Sequence, residues 1–214
     1  MRKSLDFIKG YLNSANDTTA SSFVDPYTNA PLAWGGLVLG DFIEMDNPNA
    51  ALYSNSSVGT LYAGVFQRIY LDPGAAATKT GQLLFWVLGG LYRHQVTNVE
   101  SNQTDLIAGI YINGPSTGSF AITPGNFGFM QCFFPEGIAQ VLMRGTLTNG
   151  SPAIGDLIYA AALGAGADNA TCDDLTAATT VTCIKQARFI GVSETIPVGA
   201  TLAQVELRGG MLRP

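Results

Sequence analysis

Two stretches decide how this chain is read: GQLLFW at 81–86 and GDLIYA at 155–160, which begin seventy-four positions apart. Each opens on a glycine, passes one polar residue, and runs through two branched aliphatics to an aromatic, Phe85 or Tyr159. A short apolar run bounded by turn residues reads as a buried strand. The likeness continues downstream. After Gly81 the chain reaches Ile107-Ala108-Gly109-Ile110 and then Gly118-Ser119-Phe120-Ala121-Ile122. After Gly155 it reaches Phe189-Ile190-Gly191-Val192 and then Gly199-Ala200-Thr201-Leu202-Ala203. Nine residues separate Gly109 from Gly118, and eight separate Gly191 from Gly199. The middle inserts differ, 28 residues against 36, a difference that loops absorb. Three features in one order predict a β unit used twice, near 81–122 and 155–205.

Each glycine has an expected task. Gly81 and Gly155 permit a positive-φ turn before the strand. Gly109 and Gly191 allow close backbone approach or a bulge. Gly118 and Gly199 open the closing strand. None of these positions holds an acid, a base or a nucleophile, so the unit reads as scaffold.

The same period extends along the chain. In SVGTLYAGVFQRIYLD, Val65, Gln67 and Ile69 alternate with Phe66, Arg68 and Tyr70. QLLFWVL is apolar almost throughout, which predicts burial on both faces or at an interface. Asn113-Gly114, Pro124-Gly125, Pro135-Glu136-Gly137 and Asn149-Gly150 punctuate the strands as turns. Short strands at regular spacing predict an all-β sandwich or barrel-like domain over 36–214. Residues 1–35 read differently. Leu5, Ile8 and Leu12 recur at helical spacing with Phe7 and Tyr11 beside them, then a polar linker follows. This predicts an N-terminal arm whose short amphipathic helix is too short to stand alone in water and must dock.

Composition narrows the functions. The 214 residues carry a formal net charge of −5, only 13% are charged, and 47% are hydrophobic. A chain this long buries roughly 70% of its unfolded surface and needs no metal or disulfide to fold. There is no dense run of Lys and Arg, which argues against direct nucleic-acid binding. The longest apolar run, Leu83 to Tyr92, has ten residues, where a membrane-spanning helix needs about 20. Asp6 and Lys9 interrupt the N-terminal apolar residues, so no cleaved export signal is expected. Cys132, Cys172 and Cys183 fit no zinc spacing. Reduced, buried thiols are the expectation, although Cys172 and Cys183 flank one loop and could meet across it.

Taken together, RIYLDPGAAATKTGQLLFW, DLIAGIY, PGNFGFMQCFFPEGIAQVLMRGTLTNGSPAIGDLIYA and RFIGVSE…VGATLAQVELRG resemble a family of tailed-phage head decoration, or cement, proteins. The likeness spans roughly residues 66 to 208 and lies in structural glycines and apolar strands. It implies a hairpin from Pro124 through Gln131 that returns between Gly137 and Gly145. Phe129 stands where that family often has Trp, and Phe133-Phe134-Pro135 is more apolar than its pattern. The resemblance implies a non-enzymatic, cofactor-free virion protein, made in the host cytoplasm and bound to the outer surface of the expanded capsid. Its partners would be the major capsid protein and further copies of itself, as a dimer or trimer. Leu5, Phe7, Ile8, Tyr11 and Leu12 are then candidate capsid contacts.

His94, the single histidine, lies in LYRHQVTN without an adjacent nucleophile or carboxylate, so a triad is not expected. Glu44, Asp46 and Asn49, and Asp168, Asp173 and Asp174, are the best metal candidates, but neither group has calcium-loop spacing. GAGAD lacks the residues of a phosphate loop. Five N-x-S/T triplets, at Asn16, Asn55, Asn102, Asn149 and Asn169, reflect composition. Phe127, Phe129, Phe133 and Phe134 could stack a sugar, which keeps a receptor- or carbohydrate-binding β module of a virion fibre or spike as the second reading; their alternation points instead to burial.

Overall fold

Gly81 and Gly155 adopt φ of +84° and +90°, a left-handed conformation that strains any residue with a Cβ. Each turns the chain into a strand, and both strands belong to an all-β architecture. The computed structural model describes residues 39–40, 42–45, 64–101, 106–111, 124–133, 137–161, 170–174 and 188–208. The expected helical arm, with Leu5, Phe7, Ile8, Tyr11 and Leu12, lies outside them, as does Gly118. Among the described residues there are eleven strands and no helix. They are β1 (Phe42–Met45), β2 (Gly64–Leu71), β3 (Leu83–Trp86), β4 (Gln95–Thr97), β5 (Ile107–Tyr111) and β6 (Phe127–Gln131), then β7 (Ile138–Leu142), β8 (Leu157–Ala160), β9 (Cys172–Asp174), β10 (Phe189–Ser193) and β11 (Leu202–Leu207).

The strands form two sheets of like topology. The first runs β1-β2-β4-β3-β5-β6 and closes on itself through β2–β6, leaving β1 as an added edge. The second runs β7-β11-β10-β8-β9 and closes through a parallel bridge, Met143 to Cys172. Each is a five-stranded barrel, and β2, β4, β3, β5 and β6 correspond in order to β7, β9, β8, β10 and β11. The correspondence holds at the level of register. Leu83, Leu84 and Phe85 oppose Ile110, Gly109 and Ile107, with one residue bulged out. Leu157, Ile158 and Tyr159 oppose Val192, Gly191 and Phe189, with the bulge at the same place. The flanking bonds also match. Gly81 N–H donates to Tyr111 O as Gly155 N–H donates to Ser193 O, and Trp86 N–H donates to Leu106 O as Ala160 N–H donates to Arg188 O.

The repeat is longer than its glycines indicated, because β2 and β7 belong to it: Tyr70 opposes Phe127 where Leu142 opposes Leu202. Its third feature is also placed differently. The counterpart of Gly199-Ala200 is Pro124-Gly125, not the segment opened by Gly118. Gly125 and Ala200 share a positive φ, 87° and 60°, just before β6 and β11. The hairpin implied by the family resemblance is not formed either. β6 pairs with β2 and β5 whereas β7 pairs with β11, so the link from β6 to β7 joins two barrels rather than two strands of one.

Packing follows the pleat. Inside the first barrel, Ile69, Leu71, Leu84, Val96, Ala108, Tyr111 and Met130 form one buried cluster. Their counterparts Val141, Met143, Ile158, Cys172, Ile190 and Val205 are buried in the second, with Ser193 where the first has Tyr111. Gly109 and Gly191 hold the close approach between the bulged strand and its neighbour. A Cβ on Gly109 would lie 2.5 Å from Gln131 O, and one on Gly191 would run into the carbonyl of Glu206. Gly191→Ala and Gly109→Ala are therefore expected to cost about 1–3 kcal/mol through overpacking against backbone. Gly155→Ala meets only open space and should cost about 1 kcal/mol, from its positive φ alone. Urea midpoints of the three variants check this order.

Candidate interaction site

The two barrels meet at a seam where one lends backbone to the other. Backbone N–H and C=O groups removed from water need partners. In the first barrel, Tyr70 N–H donates to His94 O at 3.1 Å, directly across β2 and the start of β4. The corresponding groups of the second barrel, Leu142 N–H and Ala170 O, do not bond to each other. Leu142 N–H donates to Gly81 O at 2.8 Å, and Leu83 N–H donates to Ala170 O at 2.8 Å. The segment 81–83 of the first barrel is thus inserted into the seam of the second. Glycine is required there twice over: a Cβ on Gly81 would lie 2.6 Å from Leu142 N and 2.6 Å from Leu202 Cδ2.

Side chains complete the joint. The run that looked buried on both faces is so because Leu84 points into its own barrel while Leu83 and Phe85, at 0% and 1% exposure, join the cluster of the second. Ile107, Ile110 and Phe133 join it too. An ion pair crosses the same joint. Arg188 Nη1 lies 2.5 Å from Glu100 Oε1, with both side chains at 3% exposure or less. Arg188 Nη2 also donates to Ala161 O. These charges were not singled out in the sequence. Arg188 immediately precedes an apolar strand in a chain of low charge, which is the one signal that could have flagged it.

The second barrel carries a buried acidic network. Asp173 accepts from Arg144 Nη1 at 3.0 Å and from Thr148 N and Oγ1. Asn149 Nδ2 donates to both Asp156 and Asp174. Burial, first, pushes the Asp174 carboxyl up to about 6; Asn149 opposes this, while the Asp156 and Asp173 carboxylates and a hydrogen bond shared with Asp156 add to it. Among the described residues, no group of three His, Cys, Asp or Glu is placed to hold a metal. Asp46, Asn49 and Asp168 lie outside them, as does Cys183, and Glu44 sits on edge strand β1.

His94 lies with its Nδ1 3.4 Å from Gln67 Nε2 and its ring edge-on to Trp86 at 6.0 Å. Cys172 is a free, buried thiol held neutral by its burial. Phe127 is core, packed on Tyr70 and Tyr92 at ring distances of 5.0 and 5.7 Å with the Arg68 guanidinium 5.4 Å from its centroid. Phe133 is buried. A groove of about 440 Å³ opens beside Trp86, lined by Asp72, Thr97, Ser101, Leu88 and Val99.

No protein-family model matches the chain. No curated protein sequence matches it. The site therefore rests on geometry: a seam between barrels, an adjoining groove, and exposed apolar side chains at Leu88, Leu91, Ile154, Ile196 and Val198. This arrangement can bind surfaces, and it brings no nucleophile, base and orienting acid together among the described residues.

Two outcomes are expected. Glu100→Ala strands Arg188 in a buried joint and should lower stability by about 3–5 kcal/mol, whereas replacing both partners with apolar residues should recover most of that loss; chemical denaturation of the single and double variants measures it. The folded chain holds the Asp174 proton up to about pH 6, against 3.8 ordinarily, so this group stabilises fully below 3.8 and the contribution fades as pH rises through about 6. Asp174→Asn should therefore gain melting temperature relative to wild type as pH goes from 5 to 7.5, and a constant difference would count against it.

Proposed function

We propose that the chain is a decoration protein of a tailed-phage head, a non-enzymatic ligand that holds the expanded capsid by bridging major capsid protein subunits. One observation carries this reading beyond the resemblance: the chain is a duplicated barrel whose shared positions are structural glycines and core. Repetition of a binding unit suits attachment to a repeating lattice. A ligand that contacts several subunits only in the expanded lattice stabilises that lattice by mass action, and two linked units multiply weak contacts. The apolar side chains Leu88 and Leu91, 73% and 79% exposed, supply contact area on the first barrel. Net negative charge suits an outer surface that does not hold the genome.

The groove at Trp86 favours one other reading, a receptor- or carbohydrate-binding module of a virion fibre or spike. A half-buried indole beside Asp72, Thr97 and Ser101 has the mixture of aromatic face and hydroxyl-binding groups that a sugar ring needs.

Cosedimentation separates the two. On the decoration reading, the purified chain binds saturably to expanded heads stripped of it, at a stoichiometry fixed by lattice symmetry, and not to unexpanded proheads. Deleting residues 1–20 lowers occupancy. Absence of binding to either particle, with a saturable change in tryptophan fluorescence on titration with oligosaccharides, would instead establish the second reading.

A further inference from the structure

The segment that locks the first barrel to the second exists twice, and only one copy is used. Gly81 is buried between Leu142 and Leu202, and Leu83 is fully buried. Their counterparts in the second barrel are Gly155 and Leu157. Gly155 has the same positive φ and the same bond to its neighbouring strand, yet a Cβ there would meet nothing within 4 Å. Leu157 is 40% exposed, and the adjacent Ile154 is 65% exposed. So the second barrel presents, in solvent, the surface that its twin hides within the chain.

What could cover it is defined by what covers the twin: a five-stranded barrel entered at the seam between its β2-like and β4-like strands. Among the described residues there is one further seam of that kind, between Tyr70 and His94, and a backbone hydrogen bond of 3.1 Å spans the positions where the other seam is split. Beside it lie Phe127 and Tyr92, an apolar bed for the incoming residue where the second barrel offers Leu202. Within one chain the joint between barrels uses the Leu142–Ala170 seam, and the Tyr70–His94 seam is bordered by Gly40, which packs on the His94 ring and must give way to an incoming segment.

We propose that the free Gly155–Leu157 segment is a self-association site, and that it enters the Tyr70–His94 seam of a second copy by repeating the joint already made within one chain. The segment and the seam are different surfaces, so the contact is heterologous and builds a ring if its rotation closes, or a fibre if it does not. Because the acceptor seam must first open, association is slower than simple docking. This inference stands on the repeat alone and does not need the capsid reading.

The test uses the purified full chain without capsids. Sedimentation velocity should show concentration-dependent oligomers, and Ile154→Asp with Leu157→Asp should weaken their association by about tenfold or more. Exposed positions carry both substitutions, and an unchanged urea midpoint shows that the variant is folded. Disulfide trapping gives the geometry. Leu157→Cys chains mixed with His94→Cys chains should form a crosslinked heterodimer, since the twin positions Leu83 and Ala170 are hydrogen-bonded neighbours. A chain that stays monomeric at high concentration overturns the proposal. So do oligomers unaffected by the double aspartate variant, or Leu157→Cys chains that crosslink only to each other.

Discussion

A backbone constraint governs how the two halves of this molecule sit together. The second barrel leaves Leu142 N–H and Ala170 O apart where the first barrel joins Tyr70 N–H to His94 O, and neither group can remain unpaired in a dry joint. The segment 81–83 answers both at once. That insertion demands glycine at 81, brings Leu83 and Phe85 against the second core, and sets Glu100 within reach of Arg188. Packing, the buried ion pair and the absence of a side chain at one position are consequences of the same two hydrogen bonds.

Duplication did not produce two identical interiors. Tyr111 fills the first barrel where the second has Ser193, and Ala108 sits in the first where the second has Ile190. One large and one small residue exchange places on the same bulged strand, which keeps the filled volume near constant. The seams diverge further. Aromatic rings of Tyr70, Tyr92 and Phe127 line the first, where the second has Leu142 and Leu202 and receives the segment 81–83.

Charge in this chain is scarce, and part of it lies inward. Arg68, Glu100, Asp173, Asp174 and Arg188 are all buried among the described residues, and Arg188–Glu100 and Arg144–Asp173 are paired. Burial lowers the Arg68 guanidinium to about 10, still charged at neutral pH and resting on the Phe127 ring. Buried pairs of this kind add little net stability over apolar residues but penalise any arrangement that separates them. Here they discriminate the observed joint from others that equally apolar barrels could make.

The sequence by itself determined most of the described strands, though not Gln95–Thr97 or Cys172–Asp174, and the local roles of four glycines. Alternation and turn residues located Leu83–Trp86, Ile107–Tyr111 and Leu157–Ala160, and the repeated phrase marked Gly81, Gly155, Gly109 and Gly191 for the conformations they adopt. Those properties are local, set by φ, side-chain volume and the two-residue period of a strand. Pairing was decided only in the tertiary structure. β6 and β7 follow each other yet lie in different barrels, and the closing strand begins after Gly125 rather than Gly118. The partner of a strand depends on which distant edge offers matching hydrogen bonds and a matching apolar face. That is why the inserted segment at Gly81, legible as a turn, could be recognised as a joint only once Leu142 and Ala170 stood beside it.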